Sequence, residues 1–91
     1  MTDEELAELI KEKLDELERL SDPERTLDKK EKKRKLVLEV QVKTLERIKE
    51  AKAKGNLRQE MKAGIDYAVL EKYGEKSFFL VNFIRSQITW F

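Results

Sequence analysis

The sequence predicts an all-α protein, a small bundle of three or four helices built around one long central helix. Three observations carry this. Apolar residues recur at steps of three and four, only one Pro and three Gly interrupt 91 residues, and charged residues make up 43% of the chain. Ordinary domains carry about a quarter charged residues. An excess rich in Lys and Glu is the mark of helices laced with ion pairs, and also the compositional trend of proteins from heat-loving sources.

The first helix is expected over about 3–20. Thr2 and Glu5 have the capping-box form, in which the hydroxyl accepts an orphan amide of the first turn and the carboxylate reaches back. Leu6, Leu9, Ile10, Leu14, Leu17 and Leu20 then fall on one side of a 3.6-residue repeat, with charged residues between them. Asp22 and Pro23 read as an N-cap and a first helical position, so a second helix is expected over about 23–54. Gly55 would end it in the left-handed conformation.

Within this second helix, the stretch KLVLEVQVK alternates as a half-buried strand would. No turn signal bounds it, whereas Leu38, Val42, Leu45 and Ile48 continue a helical stripe. Leu36 and Val40 fall on another side, so the helix is apolar on two sides and must be covered twice. The first helix covers one side. Either the C-terminal segments or a second chain covers the other.

A third helix is expected over about 57–73, opened by Asn56 and stopped at Gly74. Its core face is expected at Leu57, Met61, Ile65, Ala68 and Val69, with Gly64 beside it admitting a close neighbour. A fourth, aromatic helix is expected over about 78–91, capped by Ser77. Five of the seven aromatics, Phe78, Phe79, Phe83, Trp90 and Phe91, crowd into it, where chain ends are ordinarily polar. Aligning Leu80, Ile84, Ile88 and Phe91 leaves Phe79, Phe83 and Trp90 toward another side. Residues 86–91, SQITWF, resemble a sliding-clamp-binding box in residue types: Gln87, Ile88, then Trp90 and Phe91. The spacing is compressed, because Gln87 directly precedes Ile88 and only Thr89 separates Ile88 from Trp90. The resemblance covers six residues and implies no family for the chain.

A net charge of +1 hides a sharp division. Residues 1–25 hold four basic and ten acidic residues, net minus six; residues 26–55 hold eleven and five, net plus six. Pairing of the first two helices would set opposite fields against each other. The run KKEKKRK places six cations in seven residues, which spread around a helix rather than along one side. Lys29, Lys30, Lys32, Lys33, Arg34 and Lys35, extended by Lys43 and Arg47, form the candidate surface for nucleic-acid phosphates, a contact that would weaken steeply with salt.

Chemistry is constrained further by what the chain lacks. Without Cys there is no disulfide or thiolate metal site, and without His the usual zinc, haem and acid/base options are gone. A single domain of this size buries only about two thirds of its unfolded surface, which argues against a deep active site. We therefore expect no enzyme, no cofactor and no small-molecule substrate. No run long enough to span a membrane and no signal peptide is evident, which makes the cytoplasm the expected location. The expected role is a protein–protein interaction module or small accessory subunit, binding itself or another chain through Leu36, Val40, Phe79, Phe83, Trp90 and Phe91. Non-specific nucleic-acid binding is the alternative.

Overall fold

The computed structural model describes residues 2–22, 24 and 26–89. They form four helices, α1 (Asp3–Leu20), α2 (Lys29–Lys54), α3 (Leu57–Tyr73) and α4 (Phe78–Thr89). Helical α2 is 26 residues long, about 39 Å at the standard rise. That length sets the longest dimension of the molecule, 42 Å.

Each helix begins where a side chain satisfies an orphan amide. Thr2 accepts the Glu5 amide at 3.2 Å, Asn56 that of Gln59 at 3.2 Å, and Ser77 that of Leu80 at 3.3 Å. The start of α2 differs from the expectation. Its cap is Asp28, which accepts the Glu31 amide at 2.8 Å, six residues after the expected Asp22. Asp22 instead accepts the Glu24 amide at 3.0 Å, a bond two residues on that forms a local turn. Both aspartates are competent caps, and Asp28 has the additional Glu at the third helical position. Pro23 lies outside the described residues. At the other end of α2, Gly55 adopts φ 69°, and the amides of Gly55 and Asn56 donate to Lys52 O at 3.2 Å and Ala51 O at 2.9 Å. This double closure requires the left-handed backbone that glycine supplies.

The strand-like stretch is helical throughout, and α2 is the centre of the bundle. Its Cα atoms approach those of each other helix within 8 Å, whereas among the described residues α1 approaches α2 alone. Two apolar clusters reflect the two-sided character of α2. In one, Leu45 and Ile48 meet Leu6 of α1 and Ala63 of α3. In the other, Val37 and Val40 meet Leu70 of α3 with Val81 and Ile84 of α4. The second side is therefore covered by the C-terminal helix of the same chain.

The inward face of α3 reverses the expectation. Leu57, Met61, Ile65 and Ala68 are exposed, and Val69 is half-buried against α4; the helix buries Ala63 and Leu70 with Gly74 just beyond its end. Ala63 joins Leu45 and Ile48 of α2 in one cluster, and Leu70 joins Val37 and Val40 in the other. The tight approach is at Gly74, where an added Cβ would meet the Leu70 carbonyl oxygen and lie 3.0 Å from Val37 Cγ1. Around Gly64, the expected site of close packing, a Cβ would meet nothing within 4 Å.

Candidate partner-binding surface

The apolar line Leu57, Met61, Ile65 and Ala68 runs along α3 at steps of four, four and three. The three large side chains are 66%, 61% and 61% exposed. On α4, Phe79 is 83% and Phe83 54% exposed, with Phe78 exposed beside them. Scattered single apolar residues are normal on a surface; a helical line of them beside an aromatic helix is a patch.

Of the six partner residues expected from sequence, Phe79 and Phe83 are presented to solvent. Leu36 is half-buried against the second cluster and Val40 is 2% exposed within it, so both serve the internal packing of α2 against α4. Trp90 and Phe91 lie outside the described residues, as does that part of the clamp-box resemblance. Leu57, Met61 and Ile65, expected on the packing face of their helix, are exposed. The signal that could have placed them outside is the second apolar series on the same helix, Ala63, Tyr67, Leu70 and Gly74, whose small members allow the closer approach.

The basic residues of α2 are divided among several environments. Arg34 is drawn into the bundle, donating to both carboxylate oxygens of Glu16 at 3.0 and 3.2 Å, with Glu75 at 3.6 Å. The Glu16 hydrogen bond raises the Arg34 pKa and lowers that of Glu16. Lys29, Lys30, Lys32 and Lys33 are exposed and Lys35 is half-buried. On the open side of α2, Lys32, Lys35 and Lys43 share the face with Glu39, Glu46 and Glu50, so signs are mixed there. Lys43 borders a shallow groove with Leu17, Val42 and Arg85. Half-buried Arg47 borders another, about 490 Å³, at the α2–α3 end, with Lys54, Arg58, Lys62 and Asp66. Burial pushes the Asp66 carboxyl upward, against the pull of Lys62 and Arg47.

A polar network crosses the middle of the bundle. Buried Lys13 donates to Glu71 at 3.1 Å, and Gln41, fully enclosed, donates to the same oxygen at 2.5 Å. The Gln41 bond, followed by Lys13, holds Glu71 below its ordinary value although burial opposes it. Among the described residues, Gln41 Oε1 has no hydrogen-bond partner. This network joins α1, α2 and α3 through side chains where α1 and α3 backbones do not approach.

Among the described residues no helix is long and apolar enough to cross a membrane. Compared with family models, curated proteins and solved structures, the chain matches none.

Proposed function

We propose that this chain is a non-catalytic interaction module, a small accessory or structural subunit, that binds another protein chain through the outer face of α3 and α4. The observation that supports this best is the exposed line Leu57, Met61 and Ile65 on a helix whose opposite side is fully engaged. Covering such side chains releases roughly 25 cal/mol per Å² of apolar surface, and helices are recognised through this spacing. The expected residues Phe79 and Phe83 extend the same role onto α4.

The second reading, binding of nucleic-acid phosphates, draws support from the groove where Arg47, Lys54, Arg58 and Lys62 gather. Light-scattering mass in low and high salt, with and without a DNA duplex, separates the two when combined with capture from an extract of the producing cells. The proposal expects a self-assembly or a captured protein that persists in high salt. It should be lost in Leu57→Ser/Met61→Ser/Ile65→Ser. Equal behaviour of wild type and variant, or association with DNA alone that vanishes in high salt, overturns it.

A further inference from the structure

The charged residues around the α3 stripe are segregated by side. Helix α3 carries three cations, Arg58, Lys62 and Lys72, and three acids, Glu60, Asp66 and Glu71, so its formal charges cancel. The acids are engaged within the bundle or half-buried, although Glu71 keeps about half of its side chain in solvent. Glu71 is held by Gln41 and Lys13, Glu60 lies 4.0 Å from Lys52, and Asp66 is half-buried in the groove with Arg47. The cations are all exposed, and none enters a salt bridge among the described residues. Lys72 lies 5.4 Å over the Tyr73 ring.

At about 100° per residue, Leu57, Met61, Ile65 and Ala68 fall within about 80° of one another, Lys72 continues their line, and Arg58 and Lys62 form one flank. The solvent side of α3 is thus an apolar seam with a cationic flank of exposed Arg58 and Lys62, while the other flank carries Glu60 and Glu71, whose carboxylates already meet Lys52, Lys13 and Gln41. Its steps of four, four and three are those by which one helix meets another.

We infer that this seam receives an acidic amphipathic helix of a partner protein. Its apolar residues cover Leu57, Met61, Ile65 and Ala68, and its carboxylates meet Arg58, Lys62 and Lys72. This rests on the interaction-surface reading and adds the chemistry of the partner. A second copy does not supply that chemistry through its own α3. Antiparallel two-fold pairing would set cationic flank against cationic flank, and parallel pairing would offer Glu60 and Glu71, which are already held within the bundle.

Two designed helical peptides test this. They share one leucine pattern at i, i+4, i+8 and i+11, one with Glu and the other with Lys at the remaining positions. Each is titrated by fluorescence anisotropy against the full chain in low and high salt. Phosphatidylglycerol vesicles and a DNA duplex are assayed alongside. The Glu peptide should bind roughly three- to tenfold more tightly in low salt, as expected for several exposed charge pairs. Arg58→Glu/Lys62→Glu should invert the preference, and Met61→Asp/Ile65→Asp should weaken both peptides by about tenfold or more. Circular dichroism verifies that each variant keeps its helices. Equal binding of both peptides, lost in Met61→Asp/Ile65→Asp, overturns the acidic partner and leaves the interaction surface standing. Binding of neither peptide overturns the inference outright. If the chain then sediments with the vesicles or joins the DNA, the interaction-surface reading falls with it.

Discussion

Helices α1 and α3 each carry an apolar stripe legible in the sequence, yet they use it in opposite directions. In α1 the stripe points inward: Leu6 and Leu20 are buried, Leu9, Ile10 and Leu17 half-buried, and only Leu14 strays outward at 44% exposure. In α3 the stripe points to solvent, and the helix is held by Ala63, Leu70 and the approach at Gly74. The difference lies in the rest of each helix. Opposite its leucines, α1 offers only charges, so one orientation is favoured. Helix α3 has a second apolar side, Ala63, Tyr67, Leu70 and Gly74, and it is this side that packs into the two clusters with α2.

The sharpest way to test this contrast is within α3. Leu70→Ala should cost about 2–5 kcal/mol, because Leu70 is enclosed between α2 and α4, whereas Ile65→Ala should stay within about 0.5 kcal/mol. Denaturant unfolding measures both, and equal costs would return the outer stripe to the core. The two glycines give a smaller contrast of opposite sign. Gly74→Ala should destabilise by about 1–3 kcal/mol through its collision with Val37 and the Leu70 carbonyl. Gly64→Ala, in open space within a helix, should stabilise by roughly 0.5–1 kcal/mol. Thermal midpoints read out the pair.

A pH-dependent effect concerns the side chains that tie α1 to α2 and α3. Glu71 and Glu16 both titrate below their ordinary value of 4.5, held there by Gln41 with Lys13 and by Arg34 respectively. A depressed carboxyl contributes stability that is fully present above its unfolded pKa and lost as pH falls through the folded one. Wild type should therefore weaken on acidification below about 4.5, and Glu16→Gln/Glu71→Gln should flatten that dependence. At neutral pH, Glu71→Gln should cost about 1 kcal/mol, because Lys13 loses its counter-charge while Glu71 itself is half in solvent. Unfolding curves at a series of pH values check both statements.

The architecture was legible because it depends on local signals. Thr2, Asn56, Ser77 and Gly55 mark ends through hydrogen bonds of one turn, and the absence of turn residues around Leu36 and Val40 ruled out a strand. The start of α2 differs because two aspartates are competent caps, and Glu31 at the third helical position after Asp28 is the local signal that favours the later one. The orientation of α3 was not legible, because it depends on how near two backbones can come. The candidate surface inherited that limit. The aromatic density of the C-terminal segment points to Phe79 and Phe83, which are exposed; Leu36 and Val40 pack into the cluster with α4, and the periodicity of Leu57, Met61 and Ile65 does not say which way that face turns.

The position of α2 also orders the motions open to the chain. Among the described residues, helix α1 approaches only α2, to which residues 21–28 join it, and is tied to α3 by side chains alone. It can swing away as a unit while α2, α3 and α4 keep their common cluster. No comparable event is open to α2, since its departure removes a wall from both clusters at once. Amide hydrogens of α1 therefore have a local route to exchange with solvent, and those in the middle of α2 wait for the whole molecule to unfold.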